Sequence, residues 1–161
     1  MTEGVALARL WEADSITATE LATLFMDARA QAMPWLPVCH DLASTADFLV
    51  GEIARATTWV ARDAANRIQG LIVFDNSWID HLYIAPAMQG RGLGRRLLQQ
   101  ALADGEARQL WCFADNTAAR RFYESAGFRV VESTDGSHNE ERCADVRYHY
   151  AGNGAAITRT P

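Results

Sequence analysis

Leu82-Tyr83-Ile84-Ala85-Pro86-Ala87-Met88-Gln89-Gly90-Arg91-Gly92-Leu93-Gly94 is the stretch that decides how this chain reads. Ser77–Ile84 has strand character and is ended by Pro86. A glycine-rich turn, Gln89–Gly94, then opens a helix in which Leu93, Leu97, Leu98, Ala101 and Leu102 make one apolar stripe. A turn between a strand end and a helix start leaves backbone N–H groups free at the positive end of the helix dipole, an arrangement that binds phosphate. Glycines let the backbone take positive φ angles and approach a pyrophosphate closely. Arg91, Arg95 and Arg96 add positive charge on the same turn. The glycines fall as GxGxG, with Arg95 where a dinucleotide-binding fold would need its third, and no acidic residue closes a second strand about 20 residues on. A plain tight turn is the duller reading; three arginines beside three glycines argue against it.

Upstream, Val5–Trp11 reads as a strand. Thr17 with Glu20 makes a capping-box pattern ahead of Leu21, Leu24, Phe25 and Ala28 on one helix face. Pro34 and Pro37 interrupt that helix, and Ser44 with Asp47 opens a second, carrying Phe48, Leu49, Ile53 and Ala56. Thr57–Arg62 and Ile68–Phe74 form a hairpin turning near Ala65-Asn66. Downstream, Leu110–Phe113 is a short buried strand and Thr117–Ala126 a helix stopped at Gly127. Arg129–Glu132 and Val146–Tyr150 close the pattern as strands. The order predicts an α+β fold, a mixed, mostly antiparallel sheet of about seven strands flanked by about four helices. Residues 1–151 read as a single domain and 152–161, small and polar, as a flexible tail.

Composition narrows the function. The chain has 161 residues and a net charge of −5, which suits one domain with a real core and argues against nucleic acid as a partner. All 15 basic residues are arginine, so chemistries that need a lysine, such as a Walker-type phosphate loop or a Schiff base, are excluded. Cys39, Cys112 and Cys143 lie far apart without a CxxC pair, and the four histidines form no zinc pattern, so no metal is expected. There is no signal-peptide pattern and no apolar run near the roughly 20 residues that span a bilayer. The expectation is a cytoplasmic protein without a membrane partner.

Leu82–Gly94 resembles the signature of the GNAT superfamily of acyl-CoA-dependent N-acyltransferases, in which an "LYV-x-P" strand precedes Q/R-x-x-G-x-G/A; Gln89, Gly92 and Gly94 match it. A second stretch, Asn116-Thr117-Ala118-Ala119-Arg120-Arg121-Phe122-Tyr123-Glu124-Ser125-Ala126-Gly127-Phe128, is similar to the superfamily's "N…A…FYE-x-x-GF" pattern. The resemblance covers nearly the whole chain. It implies acetyl-CoA as cosubstrate, with the pantetheine arm against the backbone of Leu82, Tyr83 and Ile84. It assigns the pyrophosphate to the amides from Gln89 through Gly90, Arg91, Gly92, Leu93 and Gly94 to Arg95. Asn116 would contact the cosubstrate, or would simply cap a helix. Tyr123 would stand near the sulfur and protonate the leaving thiolate, or would be an aromatic packed beside Phe122.

The base is open at this stage. Many relatives carry a Glu six residues before the position of Ile84, where this chain has Trp78. His81 and, close behind it, Asp80 are the candidates, and a β-bulge would turn either toward the acceptor. Without one, alternation groups Asp80 with Leu82 and Ile84, and His81 with Tyr83. Deprotonation through ordered water is a further route. On the acceptor side, Trp35 between its prolines would wall an apolar part of the substrate, or sit in the core. Asn139, Glu140 and Glu141 would attract a cationic amine, or be a solvated loop. The resemblance thus implies acetyl transfer to a primary amine of a small molecule or peptide in a ternary complex, and it allows a homodimer. The competing reading is a non-catalytic acyl-CoA-binding or regulatory domain, suggested by Trp78.

Overall fold

A computed structural model describes residues 4–154 of the chain. Strands β1 (Ala6–Leu10), β2 (Thr57–Arg62), β3 (Ile68–Phe74) and β4 (Ile79–Ile84) make an antiparallel sheet in that order. Strands β5 (Arg108–Phe113), β6 (Arg129–Thr134) and β7 (Asp145–Tyr150) make a second, also antiparallel, ordered β5-β7-β6. The helices are α1 (Ser15–Ala32), α2 (Leu42–Arg55), α3 (Leu93–Leu102) and α4 (Thr117–Ser125). The α+β class and its element order are therefore as the sequence indicates. The one expected sheet is two, joined by a single parallel bridge between Trp78 and Gln109.

β3 is apolar almost throughout because it is covered on both faces. Leu71 and Val73 point to one side, where α1 and α2 bring Leu21, Leu24, Leu49 and Ile53. Ile72 and Phe74 point to the other, into a core built from Leu93, Leu97 and Leu98 of α3 with Leu110, Phe128 and Tyr148. The amphipathic stripe read from the sequence thus fixes α3, and with it the glycine-rich turn, against the back of the first sheet.

The helix starts differ from the expected ones. Asp14 caps α1 by accepting from the Thr17 N–H at 2.8 Å, and Asp41 caps α2 by accepting from the Ser44 N–H at 2.8 Å. Thr17 and Ser44 lie inside their helices because an aspartate three residues earlier makes the stronger, charge-assisted cap. Glu20, freed from a capping box, accepts from the Ile68 N–H at 2.6 Å and ties α1 to the start of β3. At the other end, Asn153 is docked, its N–H donating to the Gly105 carbonyl at 2.8 Å. The rest of the expected tail, 155–161, lies outside the described residues. Among the described residues no helix is long and apolar enough to cross a membrane.

Leu97 is fully buried where α3 meets the sheet. Leu97→Ala is expected to cost about 2–5 kcal/mol by urea denaturation, the range for emptying a packed leucine site. A loss below about 1 kcal/mol would mean that α3 is held by something other than this stripe.

Candidate active site

Beyond the Trp78–Gln109 bridge, where the Gln109 N–H donates to Ser77 at 2.8 Å, β4 and β5 share no further ladder. Their facing edges open as a wedge. At its mouth a short 3₁₀ turn, Pro86–Met88, leads into the glycines. Gly90 (φ 75°) and Gly92 (φ 80°) are left-handed, and Gly92 is the N-cap of α3 without a side-chain cap. α1, α2 and α4 are all capped by a side chain, whereas the backbone N–H groups from Gly90 through Arg95 find no acceptor among the described residues. A Cβ built on Gly92 would meet nothing within 4 Å, so the space above this row of donors is open. Such a row suits a pyrophosphate.

The surroundings refine the roles expected here. The Gln89 N–H closes on Pro86 at 3.4 Å, and its side chain donates to the Ile84 carbonyl at 3.2 Å. Gln89 therefore shapes the turn and is not one of its free donors. Arg95 reaches Ser125 of α4 (3.1 Å), and Arg96 holds the Val5 carbonyl (3.2 Å). Arg91 alone of the three has no partner among the described residues. Because Ile84 turns its carbonyl to the open edge, strand alternation sends the backbone of Leu82 the same way. Tyr83, opposite Leu71, spends its backbone groups on β3.

On β4 a bulge separates two pairs: Ile79 faces Phe74 and His81 faces Val73, leaving Asp80 as the extra residue. The bulge overturns simple alternation. Ile79 joins Leu82 and Ile84 on the core face, while Asp80, His81 and Tyr83 all turn toward α1 and α2. Asp80 ends at Arg55 (3.2 Å) and does not line the cavity beside it. His81 does, with Phe25 and Phe48 edge-on at 5.7 and 5.5 Å. Its Nε2 lies 3.0 Å from Glu52, a residue that the sequence reading passed over.

The cavity, about 840 Å³, runs between α1, α2 and their connecting loop, with Met33, Leu36 and Val38 on its apolar side. Glu140 and Glu141 line it from the β6–β7 loop, but not as free carboxylates. Glu141 accepts from Arg29 at 2.8 Å, and Glu140 pairs with His40 at 2.8 Å. Arg29 also donates to the Tyr83 hydroxyl at 3.0 Å, so one α1 side chain joins that loop to β4. The carboxylates without such partners among the described residues are Asp27 and Asp47. Two expected lining residues lie elsewhere. Asn139 spends its amide on Cys143 and Asp145 (2.8 and 3.1 Å) and so builds the loop. Trp35 is 42% exposed and packs edge-on against Phe113 at 6.2 Å, neither cavity wall nor core.

On α4, Asn116 caps the helix, its Oδ1 accepting from the Ala119 N–H at 3.3 Å. Tyr123 is buried between Phe122, Phe128 and Tyr148, with no hydrogen-bond partner for its hydroxyl among the described residues. Burial, helped by nearby Cys112 and Tyr83, pushes the phenol well above its ordinary range, so it keeps its proton at neutral pH. Burial likewise pushes the Cys112 thiol up to about 12, which makes it inert as a nucleophile.

The model of the acetyltransferase (GNAT) domain matches residues 54–130, from the end of α2 to the start of β6. Over 135 residues the chain is 35% identical to N-alpha-acetyltransferase RimI of Mycobacterium tuberculosis, an alignment covering 81% of this chain and 82% of that one. The chain belongs to the GNAT acetyltransferase family. It is also 35% identical over 88 residues to N-alpha-acetyltransferase 40 of Saccharomyces cerevisiae, but that match takes 47% of this chain and only 30% of the yeast protein. Among solved structures, PaiA N-acetyltransferase from Thermoplasma acidophilum in complex with coenzyme A superposes with a TM-score of 0.71 at 20% identity, over 91% of this chain and 98% of that one. It shares the GNAT fold.

Two measurements test this GNAT site. Gly92→Ala leaves room for its Cβ in the protein, so stability should fall by only about 1–2 kcal/mol for the left-handed backbone. Acetyl-CoA binding by calorimetry should nevertheless weaken about tenfold or more, since the methyl enters the donor row; unchanged affinity would remove the turn from the cosubstrate site. Glu52, hydrogen-bonded first by His81 and then by Arg55, is depressed to about 2 from an ordinary 4.5. A depressed carboxylate stabilises the fold above pH 4.5, and that contribution is lost as pH falls toward 2. Acid unfolding of Glu52→Gln should therefore be less steep across that window than that of the wild type, and matching slopes would contradict the pairing.

Proposed function

We propose that this chain, an N-acetyltransferase by family, moves an acetyl group from acetyl-CoA to a primary amine by direct attack in a ternary complex. The observation that carries the proposal is the row of free N–H groups from Gly90 to Arg95 at the mouth of the β4–β5 wedge, beside a separate cavity lined by His81. Acetyl-CoA would supply an acyl group activated as a thioester. Gly90, Arg91, Gly92, Leu93, Gly94 and Arg95 would hold its pyrophosphate, and the outer edge of β4 at Leu82 and Ile84 its pantetheine arm. Asn116 is already engaged as a helix cap, so its contact with the cosubstrate would be additional.

An alkylammonium with a pKa near 10.4 must lose a proton before it attacks. His81 is the base in this reading because it reaches the cavity while Asp80 is turned into an ion pair behind it. The amine then uses its lone pair on the thioester carbonyl. As the C–S bond breaks, Tyr123 donates its hydroxyl proton to the sulfur, and the second proton lost by the nitrogen restores the phenol. Asp27 and Asp47 attract the incoming ammonium, and the paired Glu140 and Glu141 hold the cavity wall.

The acceptor we favour is the amino terminus of a peptide, by analogy with the two N-alpha-acetyltransferase relatives. Small amines are the second class to test. Free Cys39, Cys112 and Cys143 fit a reducing cytoplasm, and a homodimer is carried over from the family resemblance.

The test is release of the CoA thiol with short peptides bearing a free amino terminus, the same peptides N-acetylated, and aliphatic diamines. Turnover confined to free amino termini supports the reading, and turnover with diamines alone moves the acceptor class. His81→Gln is expected to lower kcat by about 10²-fold or more, and Tyr123→Phe to lower kcat with little change in acetyl-CoA affinity. Asp80→Asn should retain most of the turnover. No thiol release with any amine, despite acetyl-CoA binding, would return the chain to the non-catalytic reading.

A further inference from the structure

Glu52 is an unusual residue to find where it is. It lies on the inward face of α2, between Leu49 and Ile53, and is only 7% exposed. A buried carboxylate persists only when paired. Arg55 meets both its oxygens, Nε to Oε1 at 2.8 Å and Nη2 to Oε2 at 2.6 Å, and continues to Asp80 at 3.2 Å. That pairing alone would satisfy the carboxylate and anchor the end of α2. Yet Oε2 also meets His81 Nε2 at 3.0 Å, although Glu52 does not itself line the cavity that His81 reaches.

We propose that Glu52 is a positioning residue: it holds His81 as the tautomer protonated on Nε2, makes Nδ1 the proton-accepting atom, and stabilises the imidazolium once formed. The proposal rests on the reading of His81 as the base. An ionised carboxylate only accepts hydrogen bonds, so the nitrogen facing it carries the hydrogen. The depressed Glu52 is ionised at any pH at which the enzyme would work. Nδ1 is then the lone-pair nitrogen, and it has no partner among the described residues. Phe25 and Phe48, edge-on, and Tyr83, stacked at 6.4 Å, fix the plane of the ring. The proton balance is simple. The acceptor's nitrogen loses two protons: one goes from the ammonium to Nδ1 and on to solvent after product leaves, and the second, shed once the nitrogen's electron pair has formed the new C–N bond, replaces the proton that Tyr123 gives to the sulfur.

Other charges surround the ring. Asp80 and Tyr83 flank it on β4; α2 adds Arg55 and Asp47, and α1 adds Asp27 and Arg29. His40, Glu140 and Glu141 stand across the cavity, already paired. Glu52 is the one carboxylate in contact with the imidazole.

The experiment compares wild type, Glu52→Gln, Glu52→Asp and His81→Gln, as full chains, in kcat and KM across pH, with an acceptor from the peptide and diamine panel. Glu52→Gln keeps the shape and removes the charge. It should lower kcat at least about tenfold with the acceptor KM nearly unchanged, and shift the acid limb of the profile to lower pH. Glu52→Asp should recover part of kcat. A wild-type profile in Glu52→Gln, with His81→Gln inactive, would reduce Glu52 to an anchor of α2 and overturn the proposal while sparing the base. An active His81→Gln would instead remove the base and the proposal together. Independently of activity, a long-range ¹H–¹⁵N spectrum of the wild type should show neutral His81 as the Nε2–H tautomer. The Nδ1–H tautomer would overturn the assignment even if Glu52→Gln failed to fold.

Discussion

Everything functional in this molecule hangs on the point where two sheets part. β4 and β5 touch through one parallel bridge, Trp78 to Gln109, and then diverge. A continuous ladder would have consumed the outward N–H and C=O groups of β4 and closed the space between the sheets. Each strand is instead secured on its other side, β4 by β3 and β5 by β7, so the parting leaves both sheets intact. Unpaired edges carry backbone polar groups that pair with water or with a ligand, so the wedge offers an extended polar ligand both donors and acceptors. The uncapped start of α3 lies at the mouth of the same wedge, so a ligand with a polar arm and an anionic group meets donors for both.

Arg29 links the two sheets from α1. Its guanidinium reaches Tyr83 on β4 and Glu141 on the β6–β7 loop, while lying over Phe25 at 5.2 Å and Phe113 at 5.9 Å. An arginine suits this position because its planar fork makes two directed bonds while its face packs on rings. The desolvation of its charge is offset by Tyr83 and Glu141, which together hold the guanidinium protonated. His40 with Glu140 repeats the tie further out, where both partners are exposed and the pair contributes less.

Much of the fold was legible because it rests on local signals. The apolar runs of β2 and β3 and the stripe of α3 mark their own limits, and the glycines before Leu93 announce a turn whose donors are free. Helix starts were less legible. A serine or threonine near a helix start looks like a cap until an aspartate three residues earlier takes the same N–H, as Asp14 and Asp41 do. Alternation groups His81 with Tyr83 as the structure does, but it misplaces Asp80, since one extra residue in β4 reverses the faces of Ile79 and Asp80, and register is a property of the pair of strands. Glu52 and Arg29 went unnoticed because their partners lie 29 and 54 residues away. A signal did exist for each: a charged side chain inside the apolar face of its helix, Glu52 beside Leu49 and Ile53, Arg29 one turn after Phe25.

The division of charge then explains why the two substrates would not compete for one site. The start of α3 offers backbone donors with Arg91 alongside, and no acidic residue stands in its first turn. The cavity on the far side of β4 carries Asp27, Asp47, Glu140 and Glu141 against Arg29, His40 and His81. On the proposed reading an anionic cosubstrate would be drawn to one mouth and a cationic amine to the other, although the whole chain is mildly acidic. Between them stands β4, with Leu82 and Ile84 facing the core, His81 lining the cavity and Tyr83 turned toward α1. The bulge at Asp80 changes the strand before that point, putting Ile79 on the core face and Asp80 on the helix face. One extra residue in one strand therefore leaves His81 on the face it shares with Tyr83 and turns Asp80 to that same side, where it holds the arginine that holds Glu52.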